Sequence, residues 1–207
     1  MCPENKLNIR KKFPEHLFYF ARKENFESIL KYGILSYNQV KKRKLDHSSF
    51  ADVAVQKYRS ETTIWLPNNG GQNLSIHDFV PLYFNSKTPT LFARKEDQKN
   101  LFFFKINYQK ITTDRGVKFA FSDGNAANKK TNCFFDLEKL NQIDWKVINA
   151  KYWKDFEDGK RKRCAEFLIY EEIQLEFVDE VVLYDAQNYY TFQRLLSVYN
   201  KNIIINV

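Results

Sequence analysis

Cys164-Ala165-Glu166-Phe167-Leu168-Ile169-Tyr170 is the stretch on which the fold turns. It is a short, almost wholly apolar run with one carboxylate in it, and it reads as a strand of a buried sheet. Runs of the same β-rich kind lie to either side, at residues 17–20, 80–84, 101–106, 119–121, 177–184 and 203–207. Helical spacing separates them. Phe26, Ile29 and Leu30 fall at i, i+3 and i+4, with Asn25 placed to cap and Gly33 placed to end the turn. A second helix is expected from Phe50 to about Arg59, short ones at 136–140 and 144–148, and a last one on the stripe Phe192, Leu195, Leu196 and Tyr199. Pro67, Asn68, Asn69, Gly70 and Gly71 mark a flexible loop between Trp65 and Ser75, and Asp123-Gly124-Asn125 is a turn. Strands and helices alternate without a βαβ rhythm, which predicts an α+β fold around a mainly antiparallel sheet. No repeat or low-complexity tract divides the chain, so residues 1–207 are expected to form a single domain.

The composition supports a packed core: 43% of residues are hydrophobic and 16% aromatic, far from the balance of a disordered chain. No apolar run reaches the ~20 residues that span a bilayer. The start, MCPENKLNIRKKF, lacks the apolar segment of a secretory signal. Cys2, Cys133 and Cys164 are scattered and odd in number, which fits reduced thiols in a cytoplasmic protein. Lys and Arg outnumber Asp and Glu by 33 to 25, a net charge of +8. The surplus is clustered at 41–44, 129–130 and 160–163, and such clusters can follow a polyanion by releasing its counterions.

The usual chemical motifs are missing: there is no phosphate-binding glycine loop, no dinucleotide fingerprint, no HExxH and no GxSxG. His16, His47 and His77 stand apart from any cysteine ligand pattern, so no metal site is expected. What remains is Glu166. A carboxylate among apolar neighbours is costly unless it is paired or used. The plain structural reading pairs it with Arg161 or Arg163 at a strand edge. Arg59, near Glu61, could equally be a solvated helix residue.

Several stretches, in order, resemble the DarT family of toxin ADP-ribosyltransferases. Asn25 to Leu30 with Gly33 is similar to the family's first helix. Asn38-Gln39 and Gln56-Lys57-Tyr58-Arg59 follow, the latter like a QxRR helix end with Tyr58 in place of the first arginine. His77-Asp78-Phe79-Val80-Pro81-Leu82-Tyr83-Phe84 resembles HDYVPFYF, with Pro89 downstream, and Asp123-Gly124-Asn125-Ala126 resembles DGNA. Asp144-Trp145, Tyr152-Trp153 and Ala165-Glu166-Phe167-Leu168 complete the series.

The resemblance implies a single-domain ADP-ribosyltransferase fold: a split, mainly antiparallel sheet with flanking helices and NAD in its cleft as co-substrate. It implies catalytic roles for Glu166 and Arg59. It places Tyr19, Phe20, Ala21, Ser28, Ser36 and Arg59 at NAD. It also implies transfer of ADP-ribose to a base, thymidine in the family, of single-stranded DNA, and a macrodomain antitoxin (an ADP-ribosylglycohydrolase) encoded beside the gene. Residues 123–163 would form the long loop that selects the substrate, and His77, Tyr83, Tyr152, Trp153 and Lys154 would meet the nucleic acid. Where the family has YHIT, this chain has Phe18-Tyr19-Phe20-Ala21, which exchanges a histidine and a hydroxyl. Two other functions compete: ADP-ribosylation of RNA or of guanine in DNA, and non-catalytic single-strand binding on the same scaffold.

Overall fold

A computed structural model describes residues 14–49, 53–67 and 71–207, with 53 and 54 described through their backbone. The first third of the chain runs β1 (His16–Arg22), α1 (Phe26–Tyr32), β2 (Ile34–Leu35), α2 (Tyr37–Lys42), α3 (Val53–Glu61), β3 (Thr63–Leu66) and β4 (Gln72–Ser75). The middle holds β5 (Phe79–Tyr83), α4 (Pro89–Phe92), β6 (Leu101–Asn107), α5 (Tyr108–Thr113), β7 (Phe119–Ser122) and β8 (Cys133–Phe134). Then come α6 (Trp145–Asn149), α7 (Gly159–Arg163), β9 (Glu166–Tyr170), β10 (Glu172–Ile173), β11 (Val178–Leu183), α8 (Tyr189–Val198) and β12 (Ile204–Asn206).

Eight strands form one sheet in the order β12-β11-β6-β1-β5-β9-β7-β8. All neighbours are antiparallel except β11 and β12. The weak seam lies in the middle. β1 pairs with β6 along its whole length, from His16–Asn107 to Arg22–Leu101, yet meets β5 at the single register pair Phe18–Tyr83. Beyond that pair the two halves diverge, and the sheet is split as expected.

Period-two alternation assigns the faces. Leu17 and Ala21 of β1 enter the main core with Phe102, Phe104, Ile106, Val80, Leu82, Phe167 and Ile169. Helices α1 and α8 cover this face through Phe26 and Phe192, whose rings stack 3.8 Å apart with Phe102 and Phe104 alongside. Each such buried ring contributes about 1.5–3 kcal/mol of hydrophobic stabilisation. On the opposite face Phe20, Leu91, Leu101 and Phe103 form a smaller cluster, with Phe18 and Tyr83 packed against it.

Two expectations change, and a third falls partly outside the described residues. The stretch from Trp65 to Ser75 is largely a hairpin: β3 and β4 pair from Thr63–Ser75 to Leu66–Gln72, and residues 68–70 of the turn signal lie outside the described residues. Helix α3 begins at Val53, and the expected start at Phe50 lies outside the described residues. Asn25 stands at the N-cap of α1, but its side chain makes no cap bond. It clamps Ser48 instead, donating to the Ser48 carbonyl at 2.8 Å and accepting the Ser48 N–H at 2.9 Å. Gly33 does end α1. Its φ is +82°, and a Cβ there would lie 3.1 Å from the Ile173 carbonyl oxygen of the β2–β10 ribbon.

Candidate active site

A cleft of about 810 Å³ opens at the split of the sheet. Tyr19, Phe20 and Ala21 line it from β1, and Phe79, Pro81 and Tyr83 line it from β5, one face of that strand. Glu166 lies at its floor as the first residue of β9, in register with Tyr83.

Glu166 is 1% exposed and fully partnered. Arg59 Nη1 donates to Oε1 at 3.1 Å and to Oε2 at 2.9 Å. The backbone N–H of Ala126 donates to Oε1 at 3.2 Å. Ser122 Oγ accepts the Glu166 N–H at 3.1 Å and donates to the Gly124 carbonyl at 2.7 Å, which joins the strand to the 123–126 turn. The Asp-Gly-Asn-Ala turn is therefore part of the carboxylate's support. Neither Arg161 nor Arg163 takes that place.

Those two arginines are occupied elsewhere. Arg161 binds Asp123 and Asp158. Arg163, 2% exposed, donates to the carbonyls of Lys87, Val147, Ile148 and Ala150 and so caps the C-terminal end of α6. Lys162 pairs with Asp144 at 3.0 Å. The basic run 160–163 is mostly an internal brace. It fastens the 123–163 segment to the sheet and leaves Lys160 as the member of the run that faces the cleft without an acidic partner among the described residues.

Arg59 is 8% exposed and lines the cleft from the last turn of α3. One turn earlier Gln56 meets His77, Oε1 to Nε2 at 3.0 Å. His77 is 7% exposed, its ring 4.5 Å from that of Tyr37. Burial lowers its pKa, and the positive charges of Arg59 and Lys41 lower it further against the opposing pull of Asp78. Burial also pushes the Tyr19 hydroxyl up to about 12 and raises that of Tyr83, so both stay protonated donors.

The remaining expected residues divide. Ser28 borders a separate small recess with Tyr19, Asn25 and His47. Ser36 is 1% exposed and caps α2, accepting the Gln39 N–H at 3.3 Å. The structure brings neither into the main cleft. Tyr152 and Lys154 are exposed and Trp153 is half-buried, all three outside the lining of the cleft; Trp153 packs edge-on against Phe92 at 5.7 Å and Lys154 sits over the same ring. Residues that sequence reasoning missed include Ser122, Asn25 with Ser48, and the Ala126 N–H. Asn25 had a signal as a helix cap and the Ala126 N–H as part of the Asp-Gly-Asn-Ala turn, while Ser122 and Ser48 had none. Among the described residues no three His, Cys, Asp or Glu side chains gather as a metal would need.

The size of the cleft fits an extended dinucleotide. A family described as "ssDNA thymidine ADP-ribosyltransferase, DarT" matches residues 18–207. The DNA ADP-ribosyl transferase of Thermus sp. (strain 2.9) is 26% identical over 181 residues, 84% of this chain and 83% of the relative. A DNA ADP-ribosyl transferase–DNA ADP-ribosyl glycohydrolase fusion protein of Thermosipho africanus is 22% identical over 192 residues, 90% of this chain and 46% of the relative. The solved Thermus sp. 2.9 DarT in complex with ADP-ribosylated ssDNA shares the fold, with a TM-score of 0.84 at 23% identity over 94% of this chain and 95% of that one. With this fold and a match that runs nearly the whole length of the chain, the protein belongs to the DarT family, the NAD-dependent ADP-ribosyltransferases that act on DNA.

Proposed function

We propose that Arg59 and Glu166 are the groups with which this chain transfers ADP-ribose from NAD to thymidine in single-stranded DNA. The observation that carries the reading is the buried Glu166 carboxylate, ion-paired to Arg59 at 2.9 Å on the floor of a dinucleotide-sized cleft. Cleavage of the nicotinamide–ribose bond develops positive charge on the ribose. A fixed carboxylate in a site of low water content stabilises that charge and can hold a ribose hydroxyl for in-line attack. The thymine nitrogen forms the new bond to the ribose carbon, its proton is released, and neutral nicotinamide departs. A guanidinium has no lone pair to offer as a base, so the part of Arg59 is to orient Glu166 and to stabilise charge on the base.

The reacting edge of a base is hidden in a duplex, which favours an unpaired strand. Phe92, Tyr152 and Trp153, with Lys151 over the Tyr152 ring and Lys154 over Phe92, supply rings and cations for the flanking nucleotides. Asp155 and Glu157 lie on the same segment, so this track works through stacking more than through net charge.

A glycohydrolase that removes the ADP-ribose is the partner this reading calls for. The Thermosipho relative carries both names in one fused protein. Here we place the second activity in a separate macrodomain antitoxin encoded nearby, and both in the cytoplasm. No helix among the described residues is long and apolar enough to cross a membrane.

The test is incubation of the purified chain with labelled NAD and oligonucleotides: single-stranded DNA with and without thymidine, duplex DNA, and RNA. Label should enter only the thymidine-containing single strand. Label on RNA or on guanine-only DNA would replace the acceptor, and no nicotinamide release with any of them would leave a binding protein.

A further inference from the structure

We propose that Arg161 is a positioning residue that sets the Glu166 carboxylate through the 123–126 turn, an inference that rests on the catalytic reading of Glu166. Arg161 grips that turn at three points. Its Nη1 donates to Asp123 Oδ1 at 2.8 Å, and its own carbonyl accepts the Asn125 N–H at 3.0 Å. Its side chain also lies flat against Gly124: a Cβ there would fall 2.3 Å from Nη1 and 2.9 Å from Cγ. The next residue of the turn, Ala126, donates its N–H to Glu166 Oε1 at 3.2 Å. Arg161 is thus two hydrogen-bonding steps from the carboxylate, along a route that does not pass through Arg59.

The guanidinium is itself immobilised. Nε donates to Asp158 at 2.5 Å and Nη1 to Thr131 Oγ1 at 3.1 Å. Asp158 stands at φ +55°, a left-handed conformation that a non-glycine residue holds only when its surroundings fix it. Gly159 beside it has no room for a Cβ, which would come 1.8 Å from the Trp153 carbonyl oxygen. Arginine suits this post because its rigid fork can serve several acceptors at fixed angles, which a single ammonium cannot do. The cost of a loose turn is a displaced carboxylate, and misplacement by about 1 Å can lower turnover on the order of 10²-fold.

The experiment is steady-state kinetics of the full chain with NAD and a thymidine-containing single strand. Arg161→Met should lower kcat by roughly 10- to 10²-fold with KM for NAD and for DNA nearly unchanged. Asp123→Asn, which weakens the same contact while keeping its shape, should give a smaller loss of the same kind. Arg194→Met, at an exposed arginine of α8 outside the cleft lining, controls for the loss of a cation and should leave kcat alone. In a Glu166→Gln background, Arg161→Met should have no further effect on the residual rate, because the two act through one group. A wild-type kcat in Arg161→Met would overturn the proposal, as would a loss confined to KM for DNA, which would make Arg161 a direct contact. Should Arg161→Met not fold, Asp123→Asn decides alone, and its wild-type kcat would be equally fatal. If Glu166→Gln itself stays active, the catalytic assignment fails first, and that result is distinct from failure of the latch.

Discussion

Arg59 Nη1 bridges both carboxylate oxygens of Glu166, at 3.1 and 2.9 Å, across 107 residues of sequence. The pair is nearly closed to solvent, with side chains 9% and 1% exposed. Removing one member of a buried pair leaves the other charge uncompensated, which typically costs about 3–5 kcal/mol. The pair thus has a structural role beside the catalytic one proposed for it.

Glu166→Gln keeps the shape and part of the hydrogen bonding, so it should fold while transfer falls at least ~100-fold. Arg59→Lys should lose most of the activity, because the planar fork is lost. Arg59→Ala should lose nearly all of it and also unfold at a lower temperature. Rates of nicotinamide release and thermal melts of the three variants check this, and near-wild-type turnover by Glu166→Gln would refute the assignment.

Single strands should bind far better than duplexes, with an affinity that falls as salt rises. Trp153→Ala should weaken single-strand binding by about 1–3 kcal/mol, the worth of one stacked base, while turnover at saturating DNA holds. Fluorescence anisotropy at several salt concentrations measures both. Equal affinity for duplex, or an unaffected Trp153→Ala, would remove the proposed track.

The lowered pKa of His77 gives a stability with a definite sign. A histidine whose folded pKa lies below its unfolded value of about 6.5 stabilises the fold above that value, and the contribution is lost as pH falls through the folded pKa. Protonation would place a new cation beside Arg59 and Lys41, with Asp78 as partial compensation. Melting temperature should therefore decline as pH drops below about 6.5, and His77→Gln should flatten that part of the curve. A wild-type slope in the variant would place the acid sensitivity elsewhere.

Burial pushes the thiols of Cys133 and Cys164 up to about 12, with the nearby Glu166 charge adding to the effect at both. The thiolate is the reactive form, so both should resist iodoacetamide at pH 8 in the native protein and react once it is unfolded. Peptide mass mapping reads this directly. Ready alkylation of native Cys164 would mean that the cleft floor is open to solvent.

Much of this was legible in the sequence, for physical reasons. Apolar runs such as residues 166–170 and 79–83 name their own strands, and Phe26 with Ile29 and Leu30 names its helix face. The hairpin β3–β4 was hidden because its strands are four residues long and half exposed, and the Pro-Asn-Asn-Gly-Gly run between them dominates the reading. Glu166 stood out as a carboxylate in an apolar strand, whereas Arg59 was marked only by the family resemblance. Two arginines three and five residues away looked nearer than Arg59, and only the tertiary fold shows them bound to Asp123, Asp158 and backbone carbonyls. Ser36 carries a structural duty that the sequence did not announce, since its Oγ accepts the Gln39 N–H as the cap of α2.

The seam between β1 and β5 also governs when the site can exist during synthesis. β1 leaves the ribosome early, α3 and β5 follow, and the strand carrying Glu166 pairs with β5 only after most of the chain has been made. Contacts so distant in sequence form late. A nascent chain halted before residue 166 therefore carries the lining that β1 and β5 supply and lacks the carboxylate at the floor of the cleft. Translation thus supplies the carboxylate last among the residues that line the cleft.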